Sequence, residues 1–373
     1  MNTWEYIVKY ISLIILISCV YLLGLLSYIL FKYVGRLINR SKKFVPSHKA
    51  TKHHQNPILS PDPVSDWEQI GTFNPAAYLD SDLNIHLLYR AIGNDGVSRI
   101  GYATTGDGFT IDDRNPYAIF TMQKPMRSKG KYDPVMYPSG GSWGGIEDPR
   151  IVEIGDRLYL TFNTFDGWDY IRIGVSSISK ADFLAKRWNW SKIMLLSPAG
   201  EINKNWVLFP EKINGKFAII HNLNPKLEIS YVDRLESLAS GSVQIRGAAG
   251  KRVAQESWDT WVRGAGPPPI KTKAGWLVFY HAISKDLPDH YQLGALLLDL
   301  NNPEKIIARS PSAVLTPERW YEHDWKPGVV YACGAVIKDN VLLIYYGGGD
   351  KHVCVAHTNV DQFISWMLQY GKV

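Results

Sequence analysis

The sequence predicts an all-β fold, a five-bladed β-propeller, preceded by one N-terminal transmembrane helix. Three observations lead there. Turn residues followed by apolar strand runs recur five times after residue 66, at intervals of roughly 55 to 75 residues, somewhat longer than the usual propeller period. Each recurrence closes with a further short strand: Ile100-Gly-Tyr-Ala103, Ile173-Gly-Val-Ser176, Ile229-Ser-Tyr231, Leu293-Gly-Ala-Leu296 and Val353-Cys-Val-Ala356. Ahead of all this, Ile11 to Phe31 runs without a single charge.

That apolar run comes first in the chain. At about 1.5 Å of rise per residue it reaches roughly 30 Å, the thickness of a bilayer core. A signal peptide has a shorter apolar region and a small-residue cleavage site, whereas this run ends in Phe31-Lys32-Tyr33. Residues 1–40 therefore read as a single-pass anchor with its spanning helix at 11–31 and a basic flank. Lys32, Arg36, Arg40, Lys42 and Lys43 follow the span, against Lys9 before it. The positive-inside rule then places the rest of the chain in the cytoplasm. Residues 41–66 are polar and broken by Pro46, Pro57, Pro61 and Pro63, which predicts a linker.

From Trp67 the period-2 pattern of half-buried strands takes over, as in Ile85-His-Leu-Leu-Tyr89 and Trp276-Leu-Val-Phe-Tyr280. The five repeats open at Asn74-Pro75, at Gly144-Gly-Ile-Glu-Asp-Pro-Arg150, at Phe209-Pro-Glu-Lys212, at Gly266-Pro-Pro-Pro-Ile270 and at Cys333-Gly-Ala335. They lead to strands ending at Arg90, Phe162, His221, His281 and Gly347. One propeller domain over 67–358 follows, with a C-terminal helix over 359–373. Asp361 is placed to cap that helix, and Phe363, Trp366, Met367 and Tyr370 share one of its faces.

Composition narrows the function. The net charge of +6 is concentrated near the N-terminus, which leaves the propeller close to neutral and argues against nucleic-acid binding. Three cysteines make no disulfide framework; Cys333 and Cys354 fall on predicted strands and read as buried free thiols. The chain has no zinc-ligand spacing, no glycine-rich phosphate loop before a helix and no Gly-x-Ser-x-Gly turn, so no metal or cofactor is expected. Trp and Tyr are abundant, which suits a sugar site as well as blade packing.

In a propeller the innermost strands line a central channel, so polar residues at their ends converge. That geometry gathers Asn74, Arg90, Glu147, Asp148, Arg150, Glu211, Lys212, His221, His281 and Asp350 at one mouth. Arg150 and Lys212 have a plainer role available as partners of Glu147 and Glu211, and the two histidines as satisfied strand residues. Asp148 does not: an Asp before Pro at a strand start, repeated in no other blade, has no evident packing duty.

The ordered set Asn74-Pro-Ala-Ala, Leu88-Tyr-Arg-Ala, Gly145-Ile-Glu-Asp-Pro-Arg-Ile151, Phe165-Asp-Gly, Asn203-Lys, Leu208-Phe-Pro-Glu-Lys-Ile213, Gly264-Ala-Gly-Pro-Pro-Pro-Ile270 and Tyr345-Tyr-Gly-Gly-Gly-Asp350 resembles glycoside hydrolase family 130, the mannoside phosphorylases and related β-mannosidases. The resemblance spans Trp67 to about Ala356 and leaves the anchor outside. It implies a five-bladed propeller acting with inversion on β-linked mannosides or manno-oligosaccharides. It makes Asp148 the general acid, delivering its proton in the phosphorylases through a hydroxyl of the bound mannose, and places Asn74, Arg90, Glu147, His281 and Asp350 on the sugar. Arg150, Arg172, Lys212, His221 and Arg263 become candidates for phosphate, the co-substrate of a phosphorylase.

Inverting hydrolysis needs an acid and a second carboxylate that activates water. The first-blade position holds Asn74, so that base is missing there, while phosphate is already an anionic nucleophile and needs only cations to hold it. Asn222, standing after His221 where many family members carry Arg, pulls towards a hydrolase, with Glu147 or Glu211 as base, or towards a mannosyl-transferring variant. Phosphorolysis or mannosyl transfer, hydrolysis, and sugar binding without catalysis all stay open on the sequence.

Overall fold

The computed structural model describes residues 3–40, 47–122, 144–166, 171–246, 254 and 257–371. The expected linker residues 41–46, with Lys42 and Lys43, and Gly167 of the Phe165-Asp-Gly motif lie outside them. The chain divides into two units, Met1–Pro46 and Ser47–Val373. The first holds one helix, Thr3–Arg40. Its segment Ile7–Lys32, with mean hydropathy 2.6, is long and apolar enough to cross a membrane by length and composition, and a signal sequence meets the same description.

The second unit is mostly β. Its strands fall into five successive antiparallel modules, each with an inner, a middle and a third strand. The first is Gly71–Leu79, Ile85–Ile92 and Val97–Thr105. The second, Gly144–Ile154, Arg157–Asp166 and Ile171–Ser179, joins it through a short parallel contact of Val97-Ser98 with Gly144-Gly145. The third is Val207–Leu208, Phe217–Asn222 and Glu228–Val232. The fourth is Trp261–Ala265, Gly275–Ile283 and Gln292–Leu298. The fifth is Val330–Lys338, Val341–Gly348 and His352–Asn359. Inner strands of the fifth and first modules adjoin: a Cβ added to Gly334 would stand 2.4 Å from the Ala77 backbone nitrogen.

The repeated third-strand motif has a packing cause. Gly101 pairs with Tyr89, Gly174 with Phe162 and Gly294 with Tyr280 across the middle strand. Each aromatic ring lies over its glycine, so a Cβ on Gly101 would fall 2.3 Å from the Tyr89 ring. Gly101→Ala is expected to destabilise the chain by about 1–3 kcal/mol, the usual cost of overpacking. A urea midpoint equal to that of the parent chain would remove this reading of the motif.

A buried acid anchors the tyrosine of three modules. Tyr89 Oη donates to Glu68 at 2.7 Å, Tyr280 Oη to Asp259 at 2.7 Å and Tyr346 Oη to Glu322 at 2.9 Å. A cation from a fourth, outer strand neutralises each: Arg114 on Glu68 at 2.9 Å, Arg309 on Asp259 at 2.6 Å and Lys52 on Glu322 at 2.6 Å. Lys52 belongs to Thr51–Lys52, which pairs with His352–Asn359 as the outer strand of the last module. The expected linker to Asp66 is therefore corrected from Thr51 onward. Leu59, bridged to Val353, is buried there as well.

The C-terminal helix spans Val360–Tyr370 and buries Phe363, Trp366 and Met367. Its cap is Asn359, whose side chain accepts from the Gln362 amide, while the expected cap Asp361 accepts from Asn340 instead. Two short helices the sequence reading did not expect, Lys180–Leu184 and Glu236–Ala239, follow third strands.

Candidate active site

The inner strands share one defect. Their pairing slips between Phe73 and Ala76, between Glu147 and Arg150, between Val262 and Gly264, and between Ala332 and Gly334. In three of the four bulges a residue inside or at the edge takes left-handed backbone: Asn74 at φ 48°, Asp148 at φ 50° and Gly264 at φ 136°. In the third module Asn205, at φ 63°, holds the corresponding place just before Val207–Leu208. Asn and Asp tolerate this conformation better than other residues with a Cβ. A bulge re-aims one side chain out of the sheet's alternation, and here it brings Asn74 and Asp148 together, while Asn205 meets Arg150 and Tyr331.

Asp148 sits at the centre, 5 % exposed. Its Oδ1 accepts from Asn74 Nδ2 at 2.8 Å and from Arg90 at 3.2 Å; its Oδ2 accepts from Asn163 Nδ2 at 3.3 Å. Burial pushes its pKa up, but the charges of Arg90, Arg150 and Lys204 and the Asn74 hydrogen bond outweigh it and hold the carboxyl below the usual range. Arg90 also donates to Glu147 Oε1 at 2.7 Å and to Ser98 at 2.9 Å. Glu147 is fully buried, with Lys204 Nζ 3.4 Å from its second oxygen.

Arg150 is a brace. Its guanidinium donates to the carbonyls of Gly266 at 2.9 Å, Asp148 at 2.8 Å and Ala265 at 3.3 Å, and to Asn205 Oδ1 at 3.0 Å. It ties the second, third and fourth modules together and corrects the expectation of a phosphate ligand. Tyr331 Oη donates to the same Asn205 oxygen at 2.8 Å, and its ring stacks on His281 at 3.7 Å between centroids.

His281 is wholly buried, so the expected sugar contact is corrected too: its Nε2 accepts from the Ala332 amide at 3.0 Å. Burial and then Arg150 bring its pKa down to about 3. Such a group favours the fold above its unfolded value of about 6.5 and loses that stability as pH falls towards the folded value, at about 1.4 kcal/mol per pH unit. His281→Gln keeps the acceptor for Ala332 and is expected to flatten the acid limb of stability between pH 6.5 and 4. Equal limbs in denaturant melts of both proteins would contradict a neutral His281.

The remaining candidates divide. Asp350, nearly buried, pairs with Lys326 at 3.2 Å, and its charge is among those that raise the Arg90 pKa. Arg263 donates to Tyr291 Oη at 3.1 Å, and the Tyr291 ring lies 6.0 Å from that of Tyr331. Arg172 donates to the Ser197 carbonyl at 2.8 Å from the third strand of its module. His221 meets Ser230 Oγ at 3.1 Å and packs its ring near Trp206, next to Asn205.

Lys212 and Glu211 are elsewhere. Lys212 is exposed over the Phe217 ring, and Glu211 pairs with Lys271 at 2.7 Å. Both line a surface hollow of about 450 Å³ with Ile154, Gly155 and Tyr159. Ile154 is six residues from Asp148 along one extended strand, roughly 20 Å at strand rise. The residues passed over as site groups are Asn163, Lys204, Asn205, Lys326 and Tyr331. Asn203-Lys-Asn205, a pair of residues tolerant of left-handed backbone around a lysine, is the signal that finds the third module's contribution.

The fifth bulge holds Cys333, whose thiol is pushed up to about 12 by burial and is no nucleophile. Among the described residues no cluster of His, Cys, Asp and Glu fits a metal ion. The arrangement is a carboxyl held by amides and an arginine, with Glu147 and Asp350 closed by their own cations, suited to passing a proton beside a sugar.

Comparison with known proteins agrees. A family profile described as beta-1,4-mannooligosaccharide phosphorylase, of glycoside hydrolase family 130, matches residues 49–369. The chain is 34% identical over 319 residues to a 1,2-beta-oligomannan phosphorylase from a Thermoanaerobacter species, covering 83% of this chain and 96% of that one. It is 31% identical over 322 residues to a beta-1,2-mannobiose phosphorylase of the same organism, with the same coverage. Among solved structures, a putative glycoside hydrolase from Bacteroides ovatus shares the fold at a TM-score of 0.65 and 24% identity, covering 84% of this chain and 97% of that one. The beta-1,2-mannobiose phosphorylase of Listeria innocua, in complex with beta-1,2-mannobiose, does so at 0.61 and 21%, covering 85% and 98%. With its five modules and the Asp148 site inside the matched span, the chain belongs to glycoside hydrolase family 130 and is a carbohydrate-active enzyme.

Proposed function

We propose that the chain is an inverting β-mannoside phosphorylase: one five-bladed propeller, carried on an N-terminal membrane anchor, that converts a β-mannoside and phosphate to α-mannose 1-phosphate. Five meander modules, with the last inner strand against the first, support the propeller reading. One observation carries the choice of reaction. Asp148 stands as an acid whose hydrogen-bond neighbours are the amides of Asn74 and Asn163 and the Arg90 guanidinium, so among the described residues no second carboxylate stands against it, and Asp350 is paired with Lys326. Glu147, the base a hydrolase would need, is closed between Arg90 and Lys204, and Glu211 lies outside the site.

Phosphate needs no base. As hydrogenphosphate it attacks C1 from the face opposite the leaving sugar, the C1–O bond to that sugar breaks, and Asp148 supplies the proton that the departing oxygen takes up, passed through a hydroxyl of the bound mannose. The proton that enters on hydrogenphosphate balances the one that leaves on the acceptor sugar. Asn74, Arg90 and Asp350 hold the mannose, while Lys204, Arg263, Arg172 and His221 are the groups for phosphate. Asn222 is turned to Glu228 at 3.1 Å and adds no cation. The chemistry calls for no cofactor beyond phosphate. The two Thermoanaerobacter relatives point to β-1,2-linked mannobiose and longer β-1,2-mannans as first substrates to try.

Incubation with β-1,2- and β-1,4-linked mannobiose, with and without phosphate, tests the reading. Turnover is expected to stall without phosphate and to reverse when mannose 1-phosphate and mannose are supplied. Free mannose at full rate without phosphate would make the enzyme a hydrolase. Binding with no product would make it a sugar-binding propeller.

The anchor reading rests on the apolar span and on Lys32, Arg36 and Arg40 after it. Protease added to intact cells is expected to leave the propeller uncut. Its cleavage there would place the catalytic unit outside.

A further inference from the structure

We infer that Asn163 is a positioning residue that makes Oδ2 of Asp148 the oxygen that carries and delivers the proton. The inference rests on Asp148 being the acid. Its two oxygens are not alike. Oδ1 accepts from Asn74 Nδ2 at 2.8 Å and from the Arg90 guanidinium at 3.2 Å, and a guanidinium can only donate. A proton on Oδ1 would meet the guanidinium head on. Among the described residues Oδ2 has one hydrogen-bond partner, Asn163 Nδ2, at 3.3 Å, long for such a bond. A proton on Oδ2 loses least there.

The Asn163 amide is held in one orientation by the backbone. Its Oδ1 accepts from the Asn205 amide nitrogen at 3.2 Å, a group that only donates. Nδ2 is thereby turned to Asp148. Asn205 is fixed in turn, since its own Oδ1 takes hydrogen bonds from Arg150 at 3.0 Å and Tyr331 at 2.8 Å. Asn163 is fully buried on the middle strand of the second module, opposite Glu147 in register. The line Tyr331–Asn205–Asn163–Asp148 thus crosses three modules and ends on the oxygen left over for the proton. Asn163 sets which oxygen that is, and itself touches no reacting atom.

The test compares the full chain with Asn163→Ala, Asn163→Asp and Asp148→Asn on two substrates, both with phosphate. One is β-1,2-mannobiose, whose leaving oxygen must be protonated; the other is 2,4-dinitrophenyl β-mannoside, whose leaving group needs no proton. Asn163→Ala is expected to lower kcat on mannobiose by about 10- to 100-fold, within the range of general acid effects, with KM little changed and a several-fold smaller loss on the aryl substrate. An equal loss on both substrates, or a change confined to KM, would overturn the positioning role. If Asn163→Ala fails to fold, Asn163→Asp carries the test, because it keeps an acceptor for Asn205 and places a negative charge beside Oδ2. A like charge raises the pKa of Asp148, so the alkaline limb of kcat/KM is expected to move to higher pH. An unmoved limb contradicts the inference. Asp148→Asn at full rate on mannobiose would instead remove the acid itself, whichever way the Asn163 variants behave.

Discussion

Asp148→Asn is expected to slow phosphorolysis of a β-mannoside by at least about 100-fold, the lower end of what a positioned acid contributes. The substitution keeps the size of the side chain and an oxygen for Asn74 and Arg90, so the loss is one of chemistry. Unliganded, the carboxyl is held ionised by Arg90, Arg150 and Lys204, against the effect of burial. A group so held is a poor acid until something offsets those cations. In the proposed phosphorolysis, phosphate would do this: an anion entering beside Lys204 would weaken the pull on the Asp148 proton, so the acid would become competent when the nucleophile is in place. Activity should therefore fall as pH rises through the Asp148 pKa of the phosphate-bound site, and that limb should vanish in the Asn variant. A variant with unchanged turnover would take the acid role from Asp148.

The second large effect is on stability. Arg150→Ala leaves three buried carbonyls without this donor and the Asn205 oxygen with Tyr331 alone. Each such group costs roughly 1–3 kcal/mol when unsatisfied, so a loss of about 3 kcal/mol or more is expected even after relaxation. The phosphate KM of whatever folded fraction survives at low temperature should change far less than its melting temperature. A phosphate ligand would give the opposite pattern, a raised phosphate KM with little change in melting. Thermal melts and phosphate titrations on one preparation distinguish the two.

The contrast between Arg150 and Lys212 shows what the sequence made legible and where it stopped. The five-fold repetition, the Asp148 position and the proximity of Asn74 and Arg90 were all readable, because the bulges of the first two modules are marked by a proline directly after the left-handed residue. Repeats aligned on proline then pointed to Pro210 in the third module and so to Glu211 and Lys212. The physical requirement at the bulge is left-handed backbone, not proline, and Asn205 meets it with Trp206 after it. The same reasoning explains the fourth module, where Gly264 rather than the Pro267-Pro-Pro269 run marks the turn inward.

Two other features were hidden for a different reason. Lys52 completes a sheet whose other strands lie nearly the whole chain away, and no local periodicity reports a pairing of that separation. Arg150 stands beside Asp148, as its place in the sequence suggests, but its donors go to carbonyls and Asn205. An arginine that binds an anion and one that ties backbone carbonyls together look alike in a sequence, and differ only in which acceptors the neighbouring modules bring within 3 Å or so.

Substrate, acceptor and stereochemistry meet in one experiment: an NMR time course of β-1,2-mannobiose with the full chain in phosphate buffer, following phosphorus and anomeric protons from the first turnover. The account predicts α-mannose 1-phosphate and free mannose appearing together in equal amounts, with no other sugar formed. Initial release of α-mannose without a phosphate ester, or of the β-configured ester, would contradict it.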